Sequence, residues 1–518
     1  MIYHEDDKEG LRIFLMQASA EKETTNGEQL GLTRSDMENW ENNEAWVTKI
    51  SGLIWNDDLL KRLIEIRWWE KNLAGSLDAS KWSELTALNC FSNSLSALDL
   101  SANPQLTHLW CNTNQLTALD LNTNQKLTHL FCFENQLTAL DVSANPKLIR
   151  FWCDNNHLTV LDVSANKSIK DLGCGNNQLT ELDVRANTKL IRLVCTNNQL
   201  TTLNLNTNPK LTRLFCDNNQ LTVLYVSDNP YIESLWCKDN LLNKLNIDNN
   251  TALKRLNCSN NELSSLNVSN NRKLNLLYCS NNYLSELDVN RNEVLTEIIC
   301  YQNKISNLDL SNNIALKELI CCENQLEYVD VTKNIMLKKL DCAINRLTSL
   351  DVSKNTKLTY LDCFANQLTS LDVSYNNLLK KLCCSKNQLI MLKLNAALSM
   401  LNCNTNQLTS LNLNNLFALK QLNCSQNQLT YLDVSKNTKL TYLDCRFNQL
   451  MALDLGKNKL SDLFCDETVE VSNIEKDKNE TLLSEVKSIT IDISSFLSGL
   501  TREELKNFLY QNSETPNE

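Results

Sequence analysis

The chain has 518 residues, 42% of them hydrophobic, and a formal net charge of −11. That length suits several domains or one long repeat array, and the acidic balance argues against a nucleic-acid partner, which selects a basic surface. No run of 18 apolar residues occurs, so no membrane span is expected.

The opening Met1-Ile-Tyr-His-Glu-Asp-Asp is too acidic and polar to read as a signal peptide. Residues 1–62 are expected to form an N-terminal cap. Leu11, Ile13, Phe14, Leu15 and Met16 fall at helical spacing, and Trp40, Trp46 and Trp55 supply apolar area for covering an open end. An aromatic ligand site built from these tryptophans is the competing reading. Leu63 to Trp68 and Asn72 to Leu77 then read as a degenerate first coil.

From there the chain keeps time with cysteine. Nineteen of the 21 cysteines recur from Cys90 to Cys465, and 16 of the 18 intervals are 21 residues. A fixed period in this range means a solenoid. One unit runs from Leu106 through Leu109, Cys111, Asn114, Leu116, Leu119, Leu121 and Asn124 to Leu127. The alternation Leu109-Trp110-Cys111-Asn112 predicts a strand with leucine and cysteine inward and the other two outward. An asparagine follows three residues after the cysteine from Asn93 to Asn448, and a second column runs unbroken from Asn103 to Asn376. With a donor and an acceptor each, these side chains are expected to bond neighbouring backbones where each coil turns. The cysteines read as small buried hydrophobes, since disulfides between in-register neighbours ~5 Å apart would distort the ladder. Cys322 and Cys383 fall out of phase and are expected to point outward.

The pattern L-x-x-L-x-C-x-x-N-x-L, followed by L-x-x-L-D-L-x-x-N-x-x-L, resembles the nested 21-residue (IRREKO-type) class of bacterial leucine-rich repeats. The resemblance covers residues 63–465, about 20 coils. It implies a mainly β solenoid, a curved right-handed coil with two short strands per coil, a partly helical N-terminal cap and an α/β C-terminal cap. The segment Asn72 to Leu77 is similar to the stretch after the amino-terminal cap of extracellular leucine-rich-repeat proteins, without the cysteine pair those caps often carry. A secreted or cell-surface protein is therefore implied by resemblance, and a cytoplasmic one if Met1 is the true start. Residues 466–511 are expected to form a C-terminal cap or small module. In it Val486 to Ile493 alternates like an edge strand, and Thr501-Arg-Glu-Glu504 caps a helix reaching about Gln511. Residues 512–518 are expected to be a disordered tail.

Ligand chemistry is sought where the repeat varies. Immediately before the cysteines stand Trp110, Phe131, Trp152, Phe215, Trp236 and Tyr278, and this column turns polar after Ile320. Two residues earlier stand His108, His129, Arg150, Arg192, Arg213 and Arg255; just after the cysteines come Asp154 and Asp217. The rows Arg150-x-Trp152-x-Asp154 and Arg213-x-Phe215-x-Asp217 would set a cation, an aromatic and an acid on one exposed face, the residue types of interface hot spots. Two readings stand. One is recognition of a protein or peptide ligand, with a glycan or a second copy of the chain as other partners. The other is cross-strand stacking that stiffens the sheet. The polar switch after Ile320 favours recognition, because stacking gives no reason to stop there.

No metal or cofactor is expected. His108 and His129 lack a third ligand, and the aspartates Asp99, Asp120, Asp141, Asp162, Asp183, Asp288, Asp309, Asp330, Asp351 and Asp372 read as acceptors of backbone bonds rather than calcium ligands. Four histidines and no phosphate loop or nucleophile elbow point to a non-catalytic scaffold, with an intracellular regulatory scaffold as a further alternative. Two residues are lost between Leu392 and Leu398, and Leu416 replaces a corner asparagine; a kink near 390–420 is expected.

Overall fold

The computed structural model describes residues 2–40 and 44–473. The chain divides into two compact units, Met1–Lys357 and Leu358–Glu518. The edge strand, helix and tail expected beyond residue 473 lie outside the described residues.

In the first unit the amino-terminal segment forms helices α1 (Glu5–Leu15), α2 (Asn26–Gln29), α3 (Arg34–Glu38) and α4 (Ala45–Lys49). Capping boxes at Thr25/Glu28 and Thr33/Asp36 start α2 and α3. Helix α1 buries Leu11, Phe14 and Leu15, and Phe14 stacks on Trp68 of the first coil at 5.5 Å. Trp82 donates its indole N–H to the Asp7 carbonyl at 3.1 Å, and the buried Asp7 carboxylate accepts from Arg62 and from the Leu63 amide at 2.7 Å. These contacts pack the helical segment against the first coil.

Beyond it, three-residue strands recur every 21 residues, from Ala87–Asn89 through His108–Trp110 to Lys339–Asp341. They pair in parallel and in register, as in Leu109 with Leu130. Leu106, Leu109, Cys111, Leu116, Leu119 and Leu121 are all buried, and the same six positions repeat coil after coil. A single coil leaves these side chains open above and below, so burial comes from its neighbours. The expected second strand of each coil forms at Ala74–Asp78 and Ser94–Asp99, whereas in the following coils of this unit that segment forms no strand. The aspartate at its end makes the same local bond in either case: Asp99 Oδ1 accepts from the Ser101 amide at 2.9 Å and Asp120 Oδ1 from the Asn122 amide at 3.0 Å.

The two asparagine columns differ in what they satisfy. Asn114 donates from Nδ2 to the Cys90 and Cys111 carbonyls, and its Oδ1 accepts from the Leu95 amide at 2.9 Å. Asn124 donates to the Leu100 and Asn103 carbonyls, but its Oδ1 is buried with no protein partner. One residue before the first column, the backbone is left-handed throughout, at Thr113, Asn155, Asn176 and onward to Ile344 with φ 51°.

All 19 ladder thiols are buried, and burial pushes Cys90 up to about 12. The out-of-phase Cys322 is also buried, correcting the expectation that it points outward, while Cys383 is partly exposed. The reason lies in the stacking: the position after each ladder cysteine is flanked by neighbouring coils a few ångströms away, so short side chains such as Asn112, Ser280 and Ala343 are covered as well.

The second unit repeats this plan from Tyr360–Asp362 to Asp462–Phe464, with outer strand pairs Ser370–Asp372 with Met391–Lys393 and Ala452–Asp454 with Glu470–Ser472. The two-residue loss leaves the inner ladder whole. Lys381 pairs in register with Met400, and Asn406 still donates to the Cys384 carbonyl and accepts from Leu389. Leu416 is buried in the corner it occupies, and Asn437 donates to its carbonyl. The expected kink therefore has no counterpart in strand pairing; the shortening is taken up in the outer half-turn, where Asn395 accepts from the Ala397 amide.

Candidate functional site

The strands place the residues before each ladder cysteine side by side, so their side chains form one column on the strand face of the first unit. His108 and His129 stack at 4.5 Å, each with Nδ1 within 2.9 Å of a neighbouring threonine hydroxyl. Burial lowers the pKa of both. Trp110 stacks on Phe131 at 6.4 Å and 8°, Phe215 leans on Trp236 at 6.2 Å, and Trp236 meets Tyr278 edge-on at 6.5 Å. The Tyr278 hydroxyl donates to Glu297 at 2.6 Å. These rings are half-buried rather than fully exposed. Stacking and presentation thus coexist.

The centre of the column is different. Gly173 stands between Trp152 and Val194, and a methyl group there would come within 2.9 Å of the Trp152 ring. The bare backbone lets the indole lie across the neighbouring strand and reach Arg192, whose guanidinium sits 4.5 Å from the Trp152 centroid and 5.8 Å from that of Phe215. A cation held between two aromatic faces is worth about 0.5–2 kcal/mol per contact and loses much of its freedom. Arg150, Arg213 and Arg255 remain exposed on their strands.

The two aspartates do not join this exposed face, which corrects the expected cation–aromatic–acid rows. Asp154 is only 8% exposed; its Oδ1 accepts from the Gly175 amide of the next coil at 2.7 Å, and its Oδ2 lies against Gly173 without a partner. Asp217 makes the same bond to the Lys238 amide at 2.8 Å. Loss of hydration raises both pKa values to about 6, against the lowering effect of the backbone bonds. Their place, just past the cysteine, is the covered column that also takes in Cys322. Asp171, between Arg150 and Arg192 in the register, is half-buried with its pKa raised by desolvation, against the opposing pull of Arg192.

Sequence reasoning missed Gly173 and Asp171 as site residues. The signal was the glycine itself, one of only 9 in the chain, at a position otherwise filled by side chains that pack on their neighbours. Among the described residues no group of three or more His, Cys, Asp or Glu is placed to hold a metal ion, and no helix is long and apolar enough to cross a membrane.

No family model matches the chain, and no curated protein matches it. Solved structures do. YopM from Yersinia enterocolitica is 25% identical, with 79% of this chain and 90% of that one covered and a TM-score of 0.58. The functional domain of InlJ from Listeria monocytogenes, which includes a cysteine ladder, is 29% identical over 76% of this chain and 70% of that one, with a TM-score of 0.47. The Arabidopsis receptor kinase HAESA, in complex with the peptide hormone IDA, is 17% identical over 91% and 95%, with a TM-score of 0.58. Repeat, strand pairing and structural likeness together define a leucine-rich-repeat solenoid with a cysteine ladder.

Proposed function

We propose that the chain is a non-catalytic recognition scaffold that binds a protein or peptide ligand on the strand face running from His108 to Tyr278. The observation that carries this is the arrangement around Trp152, Gly173, Arg192 and Phe215. A repeat that fills its strand column with packing side chains departs from its own pattern there, holding a guanidinium between two rings that contribute nothing to the core. Aromatic and arginine side chains fixed in place before binding lose little entropy when a ligand arrives. That HAESA, a protein of the same fold, is seen with a peptide hormone supports the reading.

The finer assignments belong to the same proposal. The chain is a nested 21-residue repeat of the bacterial class, acting in a secreted or surface setting, with residues 1–62 as the N-terminal cap and 466–511 as a C-terminal cap or small module. The test is a quantitative pull-down from host-cell and bacterial extracts, comparing wild type with Arg150→Ala/Trp152→Ala/Arg213→Ala/Phe215→Ala after both are shown to be folded. Partners kept by the wild type and lost by the variant are expected. Identical capture would reduce the stripe to structural stacking, and capture of glycans alone on an array would replace the protein ligand with a sugar.

A further inference from the structure

We propose that the ligand of this face is an acidic, extended polypeptide segment, read by the arginine stripe Arg150, Arg192, Arg213 and Arg255; the inference rests on the recognition reading above. The stripe is an electrostatic anomaly. Arg192 and Arg213 are direct partners on adjacent parallel strands, ~4.8 Å apart, where like charges oppose each other. Other strand-face charges find partners, with Lys254 to Glu233 at 2.9 Å and Lys393 to Asp372 at 3.1 Å, and even the like-charged register partners Glu297 and Glu318 are held, by the Tyr278 hydroxyl at 2.6 Å and by Lys339 at 2.9 Å. Among the described residues none of the four stripe arginines forms an ion pair, in a chain whose net charge is −11.

The local acids form no ion pair with them, although Arg192, Arg150 and Arg213 all pull on Asp171. Asp154 and Asp217 spend a carboxylate oxygen on the backbone of the next coil, and Glu233 is held by Lys254. Asp171 stands between Arg150 and Arg192 in the register, yet pairs with neither, and its Oδ1 is buried without a partner. The arginines are thus left with their charge-assisted hydrogen bonds unmade. A carboxylate meets a guanidinium in two parallel N–H···O bonds, which a neutral ligand does not reproduce.

Geometry sets the ligand's form. From Arg150 to Arg255 is five coils, roughly 24 Å at the strand spacing, the length of about seven residues of extended chain. Phe215 and Trp236 lie between the exposed Arg213 and Arg255, so one apolar residue among the acids is expected to pack there. Arg192, clasped by Trp152 and Phe215, fixes the floor on which Arg150 and Arg213 stand.

The test uses the full chain and fluorescence anisotropy with three labelled probes. These are a seven-residue peptide of glutamates interrupted by one leucine, the same peptide with glutamine for glutamate, and an oligothymidylate. Arg150→Gln/Arg213→Gln/Arg255→Gln changes only exposed side chains, and its fold is checked by circular dichroism. The acidic probe is expected to bind, with affinity falling at least about tenfold in the variant and falling again on raising salt from about 0.05 to 0.3 M. Equal binding of the glutamate and glutamine probes, unchanged binding by the variant, or no binding of the acidic probe up to about 1 mM would overturn the proposal. Tighter binding of the oligothymidylate would overturn it in favour of nucleic acid. The pull-down separates the two claims. If its variant loses partners while the peptides bind alike, recognition stands and the acidic ligand falls.

Discussion

Asp154→Asn isolates the most heavily desolvated acid of the candidate site. Burial raises Asp154 from 3.8 to about 6, and at 1.36 kcal/mol per pH unit this corresponds to about 3 kcal/mol of folding stability withheld at neutral pH. The sign follows from proton binding. The folded chain holds this proton more tightly than the unfolded chain, so protonation favours folding as pH falls through about 6 towards 4. The penalty is fully developed above about 6. Asparagine keeps an oxygen for the Gly175 amide and removes the charge, while its NH2 group takes the place of an Oδ2 that has no partner and returns part of the gain. Asp154→Asn is therefore expected to be more stable than wild type by about 1–3 kcal/mol at pH 7.5, with the difference closing near pH 4. Urea unfolding of both proteins across pH 4 to 8 measures this, and exchange of the Gly175 amide reports whether the local coils follow. A difference that ignores pH, or a variant less stable at pH 7.5, would refute the argument that desolvation dominates this carboxyl.

Three other outcomes are expected. Ile344→Asn should stabilise the chain by roughly 1 kcal/mol, because a β-branched residue at φ 51° carries strain that asparagine relieves; an unchanged or lower urea midpoint would count against it. Asn229→Ala removes donations to the Leu205 and Asn208 carbonyls at 3.0 and 2.9 Å and should cost about 1–3 kcal/mol, with amide exchange accelerating in the adjacent coils before distant ones. At pH 8, alkylation of the native protein should leave the ladder thiols from Cys111 to Cys424 unmodified, whereas denaturant exposes all 21 cysteines; rapid native labelling of these ladder positions would contradict their burial.

Much of the fold was legible because a repeat states its rule many times over. The cysteine period located every inner strand from Ala87–Asn89 onward, and the asparagine spacing located both corner columns. What escaped was decided by bonds that period and polarity do not encode. The alternation that put Trp110 on the surface also put Asn112 there, but the residue after the cysteine is covered by its neighbours, which hides Asn112, Asp154 and Cys322 together. The left-handed column was written in the asparagines at 155, 176, 197 and 218, yet Thr113 and Glu134 in the same place masked it. Gly173 looked like a gap in an aromatic series. Its meaning came only with the Trp152 ring lying across it.

The departures from the repeat fall together rather than at random. Within four successive coils Gly173 removes a packing side chain, Asp154 buries a carboxyl that would be more stable neutral, and Arg192 and Arg213 set like charges side by side. A solenoid selected for stability alone would erase each of them, since a neighbouring coil already supplies a working solution for that position. Stability cost gathered at one place on a surface is what the proposed binding role predicts. The same argument orders the two halves of the site. Trp110, Phe131 and the two histidines satisfy one another by stacking; in the stretch from Arg150 to Arg255 the exposed Arg150, Arg213 and Arg255 form no ion pair, and on the recognition reading it is there that a partner is expected to gain the most free energy.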